Sequence, residues 1–186
     1  MIDSSKELLI DSKVFIKYIL EDEINGIVIK LSNELSEYYK DKSPLILGIT
    51  NGCIYFMMDL LKKVDFQYEI NFIKASSYKG TESMELSLDK IELDKFKNKN
   101  VLIIEDIIDT GKTMNKIYTD IIKCKPKDVK IITLLNKNTK NRDLQFQIDW
   151  IGFNIIDKYV IGYGMDFNNL FRYLKDIYID DEWRKR

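Results

Sequence analysis

The chain has 186 residues, of which 45% are hydrophobic and 12% aromatic, and these fractions are enough to fill the core of one domain. Its 29 basic and 30 acidic residues nearly cancel, so no basic excess indicates wholesale nucleic-acid binding. The absence of histidine excludes Ser-His-Asp and Cys-His nucleophiles and histidine-based zinc sites, which leaves acid–base chemistry to Asp, Glu, Lys or Tyr.

Membrane and export signals are not predicted. The sequence has no stretch of about 18 apolar residues, the length that a membrane-spanning helix needs. The first residues carry acids ahead of a short apolar patch, unlike a signal peptide. Cys53 and Cys124 form neither a disulfide framework nor a zinc pattern. We therefore expect a reduced, cytoplasmic protein.

The first half of the chain predicts helices and strands in alternation. Residues 44–50 are a continuous apolar run of strand length, and residues 53–63 return to helical spacing. Residues 69–78 alternate like a strand, with Ile70, Phe72 and Ala75 expected near the core, and residues 79–100 are expected to form a long, mobile connection. Residues 21–41 predict the first helix, because one face is apolar at spacings of three and four: Ile24, Ile27, Val28, Leu31, Leu35 and Tyr38.

The second half continues the alternation. Residues 101–106 are apolar on both faces, as a central parallel strand should be, and residues 111–124 predict a helix that ends before Pro126. Residues 129–135 and 149–153 predict two more buried strands, and residues 159–164 a sixth short one. This order is typical of an α/β fold with a mostly parallel sheet, in one domain spanning residues 1–186.

The stretch "VLIIEDIIDTGKTM" at residues 101–114 carries the strongest functional signal. It ends like a P-loop, but Asp106 stands where the first glycine must lie, so a P-loop NTPase is not favoured. The partial match "GYGMDF" at residues 162–167 to a dinucleotide fingerprint fails in the same way, because Phe167 replaces the third glycine.

These residues make better sense as a strand–loop–helix phosphate cup with acids on its rim. Backbone N–H groups from Asp109 to Thr113 would lie at a positive helix end and suit a phosphate monoester. Glu105 and Asp106 would accept hydrogen bonds from neighbouring sugar hydroxyls, so the ligand described is a 5-phosphorylated ribose. The simpler alternative is that these are ordinary loop acids and that Thr110 merely caps a helix. It is less favoured because the acids directly follow a buried strand, at the edge where α/β proteins bind ligands.

The same stretch closely resembles the phosphoribosyl-diphosphate-binding motif of the type I phosphoribosyltransferases, in the form found in hypoxanthine-guanine phosphoribosyltransferases. The resemblance covers approximately residues 45–180 and includes, in family order, "ILGITNGCIYFMMDLL", "KASSYKG", "LLNKNT", "DWIGF" and "DKYVIGYGMDFNNLFRYL". It implies a central, mostly parallel sheet flanked by helices, with a core of approximately residues 20–155. A small hood would come from approximately residues 1–15 and 155–186.

The resemblance also implies the reaction. A purine, hypoxanthine or guanine, displaces pyrophosphate from C1 of phosphoribosyl diphosphate with Mg²⁺ as cofactor, giving IMP or GMP in purine salvage. Asp109 matches the general base at N7 of the purine, and Asp166 matches the metal-binding acid. The other matched phosphoribosyl-diphosphate contacts are Glu105, Asp106, Thr110, Gly111, Lys112, Thr113, Asn51, Gly52 and Arg172.

The base pocket and lid are implied in the same way. Lys137 matches the lysine that donates to O6, and Tyr159 matches the aromatic residue that stacks on the purine. Val160 and Asp166 complete the matched purine contacts, and the lid is matched at Ser77 and Tyr78.

One departure concerns the pyrophosphate loop, which in many relatives carries a lysine before its glycine. Here the loop reads Thr50-Asn51-Gly52, and its Thr50–Asn51 peptide is predicted to be the non-proline cis bond typical of the family.

The expected partners are therefore phosphoribosyl diphosphate, a 6-oxopurine and pyrophosphate, with no nucleic acid and no membrane, in a homodimer or homotetramer. One alternative is a phosphoribosyltransferase for another base, and the choice among hypoxanthine, guanine and xanthine stays open. A second alternative is a regulator that keeps the pocket as a sensor and binds RNA. The net charge of -1 and the presence of Asp109 count against it.

Overall fold

The computed structural model describes residues 7–74, 93–140 and 142–181, which fold into two sheets. In chain order, the helices and strands are β1 (Glu7–Ile10), β2 (Lys13–Ile19), α1 (Glu21–Tyr39), β3 (Leu45–Thr50), α2 (Ile54–Leu61), β4 (Glu69–Lys74), β5 (Asn100–Ile108), α3 (Lys112–Lys123), β6 (Asp128–Asn138), β7 (Trp150–Ile156), β8 (Val160–Ile161) and β9 (Ile177–Asp180).

The larger sheet contains five parallel strands in the order β4-β3-β5-β6-β7. Its central strand, β5, is buried from Val101 to Ile104 and pairs with β3 and β6. A strand buried on both faces is what the continuous apolar run predicts. The predicted α/β class and mostly parallel sheet are therefore confirmed.

Helix α1 covers one face of this sheet. Three acids in its first turn, at positions 21–23, complement the positive helix end, and the Leu20 N–H donates to the Glu23 carboxylate at 2.8 Å. The predicted apolar face is confirmed at Ile24, Val28, Leu31 and Leu35, which are buried in the core.

Strand β4 corrects a prediction. Ile70 and Phe72, expected near the core, are 39% and 48% exposed. Ile73, the next residue along the strand, is the one that is buried. The reason is position: β4 is the edge strand of the sheet, and nothing among the described residues covers its outer face. Ala75 and most of the connection predicted as mobile lie outside the described residues. The part of that connection that is described includes a short 3-10 helix at Leu93–Phe96.

The smaller sheet is antiparallel, in the order β1-β2-β9-β8, and joins the two ends of the chain. Strands β1 and β2 form a hairpin whose turn residues, Asp11 and Ser12, both have positive φ (47° and 64°), as a primed two-residue turn requires. The predicted sixth short run becomes β8 of this sheet. The sheet also confirms that a small hood is built from N-terminal and C-terminal segments.

No helix in the described parts of the chain is both long and apolar enough to span a bilayer.

Candidate active site

The loop from β5 to α3 forms the predicted cup. An open cleft lies over it, lined by Glu105 and by residues 107–114. Gly111 has φ +81° and precedes α3, and a Cβ there would collide with the Leu144 side chain. The positive φ is therefore what favours glycine here, since the Leu144 side chain could shift but an L side chain would strain the backbone. The cup brings the side chains of Asp109, Thr110 and Thr113 to the carboxyl edge of the sheet.

Two adjacent acids on β5 sit in a desolvated environment. The Oε2 atom of Glu105 is fully enclosed and accepts no hydrogen bond from the described residues. Burial, followed by the charge of Asp106, raises the pKa of Glu105 well above its usual range. Asp106 is 9% exposed. Burial raises its pKa to about 6, against backbone hydrogen bonds and the Arg172 charge, which favour the carboxylate. Both acids raise the pKa of the buried Cys53 thiol, after the larger effect of burial.

The pH dependence of stability should report the burial of Asp106. Its folded-state pKa of about 6 lies above its ordinary value of 3.8, so the folded protein binds the extra proton between these values. The free energy of unfolding should therefore rise as the pH falls through this window. From pH 7 to pH 4.5 the gain from this group should be about 2 kcal/mol.

Urea unfolding at both pH values measures this gain. The Asp106→Asn variant should show a pH-dependent change in unfolding free energy about 2 kcal/mol smaller than the wild type. Asp41→Asn, at an exposed position, is the matched control and should keep the wild-type difference. Equal pH dependence in wild type and Asp106→Asn would show that Asp106 ionises normally.

The predicted base and the predicted O6 donor are in direct contact. Lys137 Nζ, at the end of β6, donates to Asp109 Oδ2 at 2.8 Å. The lysine side chain is only 10% exposed, while the aspartate side chain is 45% exposed toward the cleft. The pair therefore presents a carboxylate to solvent above a buried ammonium.

The hood contributes a second charged pair. Arg172 Nη2 lies 2.6 Å from Asp166 Oδ1, and its Nη1 donates to the Gly164 carbonyl at 2.6 Å. The Tyr159 hydroxyl donates to the main-chain oxygen of Asp166 at 2.6 Å. The residue is 47% exposed, and its ring makes an edge contact with Phe167. These hydrogen bonds fix the aromatic ring and the acid relative to each other. Val160, in β8, is buried next to Tyr159 in the chain.

The loop at positions 50–52 packs between Asp106 on β5 and the hood. The Thr50–Asn51 peptide is cis, which confirms that prediction. A Cβ on Gly52 would collide with the Asp106 carboxylate, and a Cβ on Gly164 would collide with the Gly52 carbonyl. The predicted pyrophosphate loop thus lies between Asp106 on β5 and the hood turn at Gly164.

Some candidates are not tested by the structure. Ser77 and Tyr78 lie outside the described residues, and Lys112 is exposed at the start of α3. The structure adds one residue that the motifs do not single out. Arg142 approaches Lys137, donating from Nη1 to its carbonyl at 3.3 Å. A single arginine in a polar loop has no pattern that would distinguish it in the sequence.

Comparison with known proteins connects this geometry to a family. The phosphoribosyl transferase domain model matches residues 19–168. The hypoxanthine-guanine-xanthine phosphoribosyltransferase of Tritrichomonas foetus is 39% identical over 155 residues, which is 83% of this chain and 85% of that protein. The hypoxanthine phosphoribosyltransferase of Escherichia coli strain K12 is 36% identical over 158 residues, 83% of this chain and 88% of that protein.

Solved structures are similar as well. A hypoxanthine-guanine-xanthine phosphoribosyltransferase structure matches with a TM-score of 0.77 and 34% identity, over 89% of this chain and 96% of that one. A hypoxanthine phosphoribosyltransferase from Staphylococcus aureus has a TM-score of 0.77 and 30% identity, over 91% and 93%. By sequence and by fold, the chain belongs to the phosphoribosyl transferase family.

Proposed function

We propose that this chain is a magnesium-dependent phosphoribosyltransferase for hypoxanthine, and also for guanine, that forms IMP or GMP and pyrophosphate in purine salvage. The observation that carries the proposal is the Asp109–Lys137 contact beside the cup. It joins a proton acceptor to a buried donor at one point, which is what recognition and activation of a 6-oxopurine need. An ammonium has three N–H donors, so Lys137 can donate to O6 while it still contacts Asp109.

In the transfer step, N9 of the purine bonds to C1 of the ribose while the bond from C1 to pyrophosphate breaks. The proton on N7 passes to the Asp109 carboxylate, which the cleft leaves accessible. The cup at residues 109–113 holds the 5-phosphate through backbone N–H groups at the start of α3. Glu105 and Asp106 would accept hydrogen bonds from the ribose hydroxyls, and the enclosed Glu105 Oε2 is an acceptor without a partner in the part of the chain that the structure describes.

The Asp166 carboxylate in the hood is suited to binding a magnesium ion. In the described ranges, no group of three or more His, Cys, Asp or Glu lies close enough together to hold a metal alone. Mg²⁺ is usually bound by one or two carboxylates together with substrate phosphates, so Asp166 and the diphosphate would hold it jointly. When bound, it would supply the positive charge that neutralises the departing pyrophosphate. The Arg172 fork would grip the pyrophosphate oxygens.

Replacing Asn51 with lysine should tighten pyrophosphate binding. The change restores the positive charge that many relatives carry in this exposed loop. An added cation at an exposed site is worth about 1 kcal/mol at most, which corresponds to roughly fivefold in affinity. Product inhibition by pyrophosphate in the presence of Mg²⁺ measures the change. Asn51→Gln is the neutral control, and unchanged inhibition in Asn51→Lys would show that loop charge does not contribute.

The remaining proposals follow from the same function. The chain would act as a single domain with the core and hood boundaries predicted above, as a homodimer or homotetramer. The unpaired Cys53 and Cys124 fit a reducing compartment, so we propose the cytoplasm. Ser77 and Tyr78 are proposed as part of a lid that excludes water.

Product formation from phosphoribosyl diphosphate and Mg²⁺ tests the function, with hypoxanthine, guanine, xanthine and adenine in parallel. Nucleotide from hypoxanthine or guanine but not from adenine is the expected result. Binding of phosphoribosyl diphosphate without turnover of any base would instead support the sensor alternative.

A further inference from the structure

Arg142 lies in the loop between β6 and β7 with most of its hydrogen-bonding capacity unused. Its Nη1 donates to the Lys137 carbonyl at 3.3 Å. Its Nε and Nη2 atoms are fully enclosed and have no hydrogen-bond partner among the described residues. Burial lowers the pKa of Arg142, and the charge of Asp109 opposes that effect. Arg142 therefore acts electrostatically on the same carboxylate that Lys137 contacts.

The segment that carries Arg142 is attached to the cup. The Asn115 side chain donates to the Asp143 carbonyl at 2.7 Å and accepts from the Gln145 N–H at 2.8 Å. Leu144 closes against Gly111, where a Cβ would collide with its side chain. These contacts hold the backbone of the segment without using the Arg142 charge. A neutral side chain at this position would keep all of them.

Enclosing two N–H donors of a cation without an acceptor among the described residues is costly, because their lost solvation is not replaced. An arginine at position 142 is explained if its charge contributes to the function of the site. Two cations act on Asp109 in this part of the site: Lys137, in contact at 2.8 Å, and Arg142, which donates to the Lys137 carbonyl and interacts electrostatically with the carboxylate. When Lys137 donates to the 6-oxo group of a bound base, it still contacts Asp109, but its charge is shared between the two acceptors. Arg142 then supplies further positive charge to the carboxylate.

We propose that Arg142 is a positioning residue for the Asp109–Lys137 pair. It fixes the main chain at Lys137 and supplies a stationary positive charge beside Asp109, so that the lysine can engage the base while the aspartate accepts the N7 proton. This inference rests on the proposed function. It predicts a contribution to turnover and not to the binding of phosphoribosyl diphosphate, whose 5-phosphate is held by the backbone of the cup.

The test compares Arg142→Gln, Arg142→Lys and Arg142→Ala by steady-state kinetics with hypoxanthine. Arg142→Gln should lose about 10- to 100-fold in kcat, the usual effect of removing a hydrogen bond from a charged group. Its KM for phosphoribosyl diphosphate should stay within about twofold, because the cup donors are unchanged. Arg142→Lys should recover part of kcat, and added guanidinium chloride should partly restore Arg142→Ala when sodium chloride at equal ionic strength does not.

Lys140→Gln is the matched control, since it removes an exposed cation from the same loop and leaves Arg142 in place. It should keep wild-type kcat and melting temperature. Three results would overturn the inference: wild-type kcat in a folded Arg142→Gln variant, an equal kcat loss in Lys140→Gln, or no difference between guanidinium and sodium in Arg142→Ala. Absence of nucleotide formation by the wild-type protein would overturn the proposed function, and the inference with it.

Discussion

Replacing Asp109 with asparagine should lower kcat for nucleotide formation from hypoxanthine by about 10²- to 10⁴-fold, the range expected for loss of a general base. Asparagine has nearly the same shape, and its side-chain oxygen can still accept the hydrogen bond that Lys137 donates at 2.8 Å. It is not basic and cannot take the N7 proton. The loss should therefore appear in kcat, while the KM for phosphoribosyl diphosphate changes only a few-fold.

Asp41→Asn is the control for this experiment, because it removes a carboxylate from an exposed position outside the cup. It should keep wild-type kcat. Both variants should keep wild-type melting temperatures within a few degrees if the proteins are intact. A kcat within about threefold of wild type in Asp109→Asn would remove Asp109 from the base role, since a general base contributes at least about 10²-fold.

Replacing Lys137 with methionine should abolish the preference for 6-oxopurines. Methionine fills the volume of the lysine stem but has no N–H donor, and the buried position leaves no water to replace it. We expect kcat/KM for hypoxanthine to fall about 10²- to 10³-fold, as expected when a buried charged donor is removed and its partner is left unpaired. Activity with adenine, which brings its own donor, should not fall in proportion. The measured quantity is the ratio of kcat/KM values for the two bases.

The control is Lys40→Met, at an exposed position after α1, which should leave the ratio unchanged. The fall in kcat/KM in Lys137→Met also has a second cause, and the comparison of hypoxanthine with adenine distinguishes it from the first. Because Lys137 contacts Asp109, its removal affects turnover of every base, whereas the loss of the O6 donor affects only the oxopurines. An equal fall for hypoxanthine and adenine would therefore assign Lys137 to supporting Asp109 alone.

The elements with strong local patterns were predictable. The apolar face of α1 and the doubly buried β5 follow from residue spacing, because each pattern matches a single period over many residues. The β1–β2 hairpin was missed, although the pair Asp11-Ser12 between two apolar runs is a turn signal. The burial of Ile70 and Phe72 was predicted wrongly because a strand's own alternation does not show whether a neighbour covers its outer face.

The amino-acid sequence by itself determined the chemistry available to this protein: acids and a glycine turn directly after a buried strand, and no histidine to compete with Asp109 as a base. Only the tertiary structure decided which groups act together. Asp109 and Lys137 are 28 residues apart, and they meet because β5 and β6 are parallel neighbours whose carboxyl ends share one edge of the sheet. Arg142 joins them because Asn115 fastens its segment to α3, a contact that depends on how the loop packs and that local sequence spacing does not encode.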